Sequence, residues 1–369
     1  MSNVQVFSPD PSWARLLESA PGPIPSASDI LCAPEFMALT PSIRALASYD
    51  SALICQTFAF GPLCGRPYLI GQSGGDIWFE PARKDQYGQL ALRALREAYA
   101  ILVSNPLTLA HARRYGVANC LYLPLCIDEE KYRPGEEPDV RSEWTRRSGG
   151  DFFVMTSMRL DNTWKGASTA IEGYAKFARD APGARLVLLG WGNDEAATMK
   201  VLADAGIADK VLLLPVVGKR RLARYLRAAD VLLEQFVLGY YGASALEAIA
   251  SRLPVVMRLE REQYEALVPA GAPPVHDAAT PDEVAAQLTL LYRDPSARSA
   301  SAKAHREWFL ASDASSATKT DYATLLTAAA AQTKINWSPS PLSKRLKKDE
   351  RDYHAQQLAG APPFPKYEI

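Results

Sequence analysis

Arg159 and Lys165 bracket the stretch RLDNTWKG, in which an apolar strand pattern gives way to a helical one. Two cations at the mouth of a helix suit a diphosphate, because the first backbone N–H groups and the helix dipole favour an anion at the same place. Each alone also reads as an ordinary surface charge. The next loop is G-W-G, where Gly190 and Gly192 allow a tight turn and close approach of backbone to a ligand. A third loop, GYYGASALEAIASRLPVV, sets Gly242, Ala243 and Ser244 at a helix start and Glu247 one turn in. A carboxylate there can accept hydrogen bonds from two adjacent hydroxyls, as on a ribose, or it can simply stabilise its helix.

The elements that must position these loops alternate from residue 151 onward. FFVMTSM, RLVLLG, KVLLLPVV, DVLLEQF, LPVVM and APPVHD are continuous apolar runs. Such runs belong to parallel strands covered by helices on both faces, with amphipathic helices between them. The pattern predicts a doubly wound α/β domain, in which ligands sit outside the carboxyl ends of the strands. T-P-D-E at 280–283 predicts a capped helix start, and helices continue to about 334. The first half carries VQVF, DILCA, SALICQ, PYLIGQ, YAILVSN and LYLPLC as candidate strands, with helical patterns around 35–48, 83–98 and 107–115. It reads as a second, smaller Rossmann-like domain. KYRPGEEPDV (131–140) is the expected linker, because proline, glycine and charge interrupt the periodicity. The expected domains are therefore 1–140 and 141–334, with a tail over 335–369 packed back on the first.

The chain has 369 residues, 48% hydrophobic and 22% charged, with 41 basic and 41 acidic side chains. That balance argues against a nucleic-acid partner. No apolar run reaches the roughly 20 residues that span a bilayer. MSNVQVFSPDPSW lacks the basic head and apolar stretch of a signal peptide. The five cysteines form no Cys-x-x-Cys pair and the four histidines are scattered, so reduced thiols in a cytoplasmic protein and no metal site are expected. Lys344, Arg345, Lys347 and Lys348 lie in the tail beside Asp349 and Glu350. They read as a solvated stretch or as a peripheral contact with anionic lipid at the inner face of a membrane.

Taken in order, these motifs resemble the retaining glycosyltransferases of family 4. Arg159, Lys165 and Gly166 match its R-x5-K-G element, RLVLLGWG its strand and glycine turn, and RYLRAADVLL its "y..aDv.l" segment. YGASALEAIASRLPVV is similar to its "fG...lEAma.g.PVv" motif. The resemblance implies the GT-B fold, two Rossmann-like domains facing across a cleft. It implies transfer of a sugar from a UDP- or GDP-linked donor to the hydroxyl of a glycan or lipid-linked acceptor, with retention and without metal or other cofactor. Bacterial surface polysaccharide or glycolipid assembly is the implied setting. Arg159 and Lys165 would meet the diphosphate, Glu247 the ribose, the N–H groups of Ala243 and Ser244 a phosphate, and Val216 and Val217 the base.

The family pairs Glu247 with a second glutamate, where this chain has Gly239, so Tyr240 and Tyr241 are candidates to line the sugar pocket. In the first domain, PYLIGQSGGDIWFE resembles the acceptor loop, with Ser73 in place of histidine, then Gly74, Gly75 and Asp76. Asp76 would act as acceptor contact or base, and Trp78 would stack on a sugar or pack inside. LPLCIDEEKYRP resembles the segment that ends the first domain. Ser73 and Gly239 also admit a catalytically degenerate nucleotide-sugar-binding partner, and a phosphorylase or epimerase on the same fold is a further alternative. Oligomeric state is not written in these motifs.

Overall fold

The computed structural model describes residues 40–55, 58–72, 74, 76–82, 86–115, 119–268 and 270–332. The chain divides into two units, one comprising Met1–Pro124 and Thr320–Ile369, the other Leu125–Lys319.

The first unit contains a four-stranded parallel sheet in the order β1-β2-β3-β4, made of Ala52–Cys55, Tyr68–Gln72, Ala100–Val103 and Cys120–Tyr122. Its helices are α1 (Thr40–Ala47), α2 (Asp76–Phe79), α3 (Gln86–Glu97) and α4 (Pro106–Arg114). The candidate strands VQVF and DILCA lie outside the described residues. The thiols of Cys64 and Cys120 are buried, whereas Cys55 and Cys126 are exposed; all four are free.

The second unit holds a six-stranded sheet. Its strands are β5 (Phe152–Thr156), β6 (Ala184–Leu189), β7 (Val211–Leu214), β8 (Val231–Leu233), β9 (Val255–Met257) and β10 (His276–Asp277). All pair in parallel, in the order β10-β9-β8-β5-β6-β7. The chain winds outward from β5 through β6 and β7, then returns to the other side of β5 for β8, β9 and β10. That reversal is the topological switch of a Rossmann sheet, and it lies between β5 and β8.

Neighbouring residues of β5 show why the strands read as unbroken apolar runs. Successive side chains of a strand point to opposite faces. Phe152 packs edge-on with Phe177 of α6 (Ala167–Ala178) and Tyr292 of α11 (Pro281–Arg293), at centroid distances of 6.3 and 5.0 Å. Phe153 instead meets Trp144 of α5 (Pro138–Ser148) at 5.3 Å, and Trp144 meets Tyr225 of α8 (Lys219–Ala228) at 5.3 Å. Both faces are dry, so neither can be polar. The remaining helices are α7 (Glu195–Asp204), α9 (Ala243–Ala250), α10 (Arg261–Leu267), α12 (Pro295–Ser312) and α13 (Ser315–Ala331). α11 starts with the expected capping box of Thr280 and Glu283.

Residues 131–140, expected as a linker, belong to the second unit. Tyr132 is buried, and Glu137 accepts hydrogen bonds from Arg224 Nε at 2.7 Å and Arg227 Nε at 2.9 Å, both on α8. Proline and glycine do break the periodicity here, but ion pairing to a distant helix holds the segment in place. The division falls instead at 124/125 and, inside α13, at 319/320. The tail 335–369 and its basic cluster lie outside the described residues. No described helix is long and apolar enough to cross a membrane, and no described group of three or more His, Cys, Asp or Glu side chains is placed to hold a metal ion.

Candidate functional site

The loop after β5 is folded around Asp161. Its backbone carbonyl accepts the N–H groups of Lys165 and Gly166 at 3.1 and 3.0 Å, and its carboxylate accepts that of Trp164 at 2.9 Å. The other carboxylate oxygen holds Arg159 Nη2 at 2.9 Å. Gly166 has φ +69°, and a Cβ there would approach Phe236 and Val237 to 3.1 Å, so only glycine turns this corner into α6. The carbonyl of Lys165 takes the N–H of Phe236 at 2.7 Å, which stitches the β5 loop to the loop after β8. Across the same seam Lys165 Nζ donates to Glu234 at 2.9 and 3.5 Å. Glu234 is 1% exposed and Lys165 27%, so the pair is buried on the acid side and open on the lysine side. The two ends of this pair lie in the loops that follow the two strands flanking the switch point.

Arg159 Nε is buried and has no hydrogen-bond partner. Buried donors are rarely left unpaired, so this one is open to an acceptor from outside the chain.

Gly190 and Gly192 are placed differently from the ligand-approach reading. Gly192 has φ +125°, and a Cβ there would lie 2.5 Å from Leu160 O and 3.0 Å from Arg159 Cγ. Leu160 N–H donates to Trp191 O at 2.8 Å, and Asp194 N–H to Leu160 O at 3.0 Å. This glycine lets the β6 loop press against the β5 loop and so fixes where Arg159 leaves the backbone. Gly190 fits against Leu213 Cδ1 and Glu195, which a Cβ would meet at 2.9 and 3.0 Å. Trp191 between them is 43% exposed, its indole N–H on Ser157 O at 3.2 Å.

Beyond β7, Val216 is 60% exposed and Val217 half-buried. The same loop ends at Lys219, whose Nζ donates to both oxygens of Glu247 at 2.6 and 2.9 Å. Glu247 is buried, and burial together with this nearby carboxylate pushes the Tyr132 phenol above its ordinary range. Gly242 precedes α9, whose first turn, with Ala243 exposed and Ser244 half-buried, has no side-chain cap.

The loop 234–242 is pegged from inside by Gln235. Its side-chain oxygen accepts Val237 and Leu238 N–H at 3.1 and 2.9 Å, and its Nε2 donates to Tyr240 O at 3.0 Å. Gly239 has φ +67°, and a Cβ there would lie 2.3 Å from Glu260 Cγ. Glu260 therefore covers the position at which the resemblance expects a carboxylate. Burial and the nearby Glu234 raise the Tyr240 phenol. Tyr241 corrects the sugar-pocket expectation. It stacks on Tyr264 at 4.8 Å, meets Trp308 edge-on at 5.6 Å and donates to Asp313 at 3.3 Å inside the core.

In the first unit, Gly74 is half-buried with open space where a side chain would be, and Asp76 opens α2. Ser73 and Gly75 lie outside the described residues. Trp78 is buried, its indole N–H on Thr108 Oγ1 at 3.2 Å, so it packs inside and offers no stacking face.

Motif reading missed Lys219 and the pairing of Glu234. A lysine opening a helix is commonplace, and Glu234 stands 69 residues from its partner. The only signal was a carboxylate at the end of an otherwise apolar strand, DVLLEQF.

Residues 141–308 match the family model for glycosyl transferases group 1. A D-inositol 3-phosphate glycosyltransferase of Mycobacteroides abscessus is 31% identical over 135 residues, which is 35% of this chain and 29% of that protein. An alpha-monoglucosyldiacylglycerol synthase of Acholeplasma laidlawii is 24% identical over 33% of this chain and 30% of its own length. The aligned stretch thus spans about a third of these curated relatives. Among solved structures, Anabaena HepE in complex with UDP superposes with a TM-score of 0.64 at 15% identity, over 83% of this chain and 85% of that one. The fold is GT-B.

Proposed function

From a chain that carries a glycosyl transferases group 1 domain over residues 141–308 in a GT-B fold, we propose a glycosyltransferase. It moves a sugar from a nucleotide diphosphate donor to an acceptor hydroxyl. One observation carries this reading: a seated lysine and an arginine with a buried, unpartnered N–H both belong to the loop after β5, at the switch point of a doubly wound sheet. In the reaction, the bond from the anomeric carbon to the diphosphate oxygen breaks and its electron pair leaves with the phosphate. Arg159, Lys165 and the uncapped first turn of α9 stabilise that charge as it develops. A new bond forms to the acceptor oxygen, whose proton passes to an oxygen of the departing diphosphate.

Glu247 takes the ribose hydroxyls once Lys219 yields one of its oxygens, and Val216 with Val217 meets the base. Retention of configuration follows from the family likeness. So does a donor co-substrate with no further cofactor, the diphosphate being met by side chains. The UDP complex of HepE supports a UDP-linked donor. The inositol-phosphate and diacylglycerol relatives support a phosphorylated or lipid-linked acceptor, with the protein cytoplasmic and peripheral at the membrane.

Gly239 favours a second reading, a nucleotide-sugar-binding partner without turnover, because Glu260 fills the space of the expected carboxylate. Calorimetric titration with UDP, GDP and their sugars separates the outcomes. Binding of one nucleotide sugar, weakened by Glu247→Ala, together with sugar transfer to an added acceptor, is expected. Binding without transfer to any acceptor selects the partner reading, and no binding at all ends both.

A further inference from the structure

The opposite end of the same sheet carries a basic cavity. It lies at the amino ends of β8 and β9, away from the loops described above, and encloses about 600 Å³. Glu136, Arg227, Asp230, Arg252, Arg298 and Ser299 line it. Its acids and two of its cations are already accounted for, save Glu136 on the exposed rim. Asp230 is paired with Arg141 Nη2 at 2.9 Å and accepts the N–H of Phe153 at 2.8 Å. Arg227 holds Glu137, and Arg298 donates to Leu291 O while its guanidinium lies over the Phe152 ring at 5.3 Å.

Arg252 is the exception. Its side chain is exposed at the rim, and among the described residues it makes no hydrogen bond or ion pair. Its backbone is also in the left-handed region, with φ +62°, one of two non-glycine residues so placed among those described. Arg252 N–H donates to Ile249 O at 3.1 Å and Leu253 N–H to Ala248 O at 2.9 Å, the hydrogen bonds of a Schellman ending for α9. Glycine is the residue that closes such an ending without strain. The carbonyl of Ala250 at the end of α9 is met by Arg306 Nη1 at 2.8 Å, so capping already has a cation in place. A strained arginine with nothing to hold, projecting at the edge of a cavity beside two other guanidinium groups, is an outlier that points to function.

We propose that this cavity is a binding site for a phosphate-bearing anion, with Arg252 as its principal contact and Arg227 and Arg298 as supporting charge. Guanidinium groups meet phosphate oxygens in a bidentate geometry that a lysine cannot reproduce. The volume suits a small phosphorylated molecule or one phospholipid headgroup. The site is independent of the reading of the switch-point loops.

The test uses the full chain carrying Arg159→Ala and Lys165→Ala, so that the switch-point cations do not compete for the probe. Inorganic pyrophosphate is titrated calorimetrically, and flotation is run with phosphatidylcholine vesicles with and without phosphatidic acid. Retained binding that falls about tenfold or more when Arg252→Gly is added supports the site. Loss in the vesicle arm alone assigns the headgroup as ligand, and loss in the pyrophosphate arm alone assigns a soluble phosphate. Arg252→Gly should also raise the melting temperature by relieving the left-handed arginine, which shows that lost binding is not lost fold. Arg252→Asn, tolerant of the same backbone, should lose binding equally. Absence of binding in both arms, or binding unchanged by Arg252→Gly, overturns the proposal.

Discussion

The second unit holds two lysine–glutamate pairs that look alike in outline and differ in construction. Lys165–Glu234 spans the switch point, with its lysine fastened by backbone hydrogen bonds on both sides and only 27% exposed. Lys219–Glu247 joins a loop end to a buried helix position, and its lysine is 54% exposed. An exposed ammonium exchanges readily with water and gains little from its partner, whereas a seated one keeps its geometry. The first pair is therefore a fixed cation platform, and the second a carboxylate held by a loosely seated lysine.

The largest effect should come from breaking the fixed pair. Lys165→Ala is expected to lower kcat/KM by ~100-fold or more, as removal of one charge-stabilising donor typically does. It also strands a buried carboxylate, so the melting temperature should fall. Adding Glu234→Gln should restore the melting temperature but not the rate, and recovery of both would reduce Lys165 to a structural role. Next, Glu247→Gln should weaken nucleotide binding by about tenfold while leaving pyrophosphate binding unchanged, since its proposed contact is with the ribose. Equal losses for the two ligands would erase the distinction between the pairs.

A third buried carboxylate sharpens the contrast, because it has no cation. Asp313 is fully buried against the Tyr241 hydroxyl, and burial raises its pKa to about 7. The folded state thus binds a proton more tightly than the unfolded chain. Its contribution to stability is complete below about pH 4 and is lost at ~1.4 kcal/mol per pH unit as the pH rises towards 7. Asp313→Asn should flatten the denaturation profile between those limits, and an unchanged slope would contradict the assignment. The smallest effect belongs to Gly239. Gly239→Ala forces a Cβ towards Glu260 in a left-handed backbone and should cost about 1 kcal/mol, read from urea denaturation. A stabilised variant would show that Glu260 moves aside freely.

Much of the second unit was legible because its logic is local. Phe152 and Phe153 both read as apolar since each faces a different dry layer, and T-P-D-E reads as a helix start because its hydrogen bonds close within four residues. Arg159, Lys165 and Glu247 stand out through charge next to small residues at strand-to-helix handovers. Tyr241 was less legible. Two adjacent tyrosines in a loop look equivalent, yet Tyr240 is half-buried beside Glu234 whereas Tyr241 is locked between Tyr264 and Trp308. Residues 131–140 misled for a related reason: proline and glycine erase periodicity without showing that Glu137 is held by α8.

The sequence by itself determined the succession of strands and helices and the chemistry available at the handovers, because periodicity and capping are encoded over a few residues. Only the tertiary structure decided which charges meet. Lys165 and Glu234 face each other because β8 returns beside β5, Lys219 finds Glu247 across two loops, and Arg252 is left alone at a cavity rim. Long-range pairing depends on strand order, and strand order is set by the packing of the whole sheet.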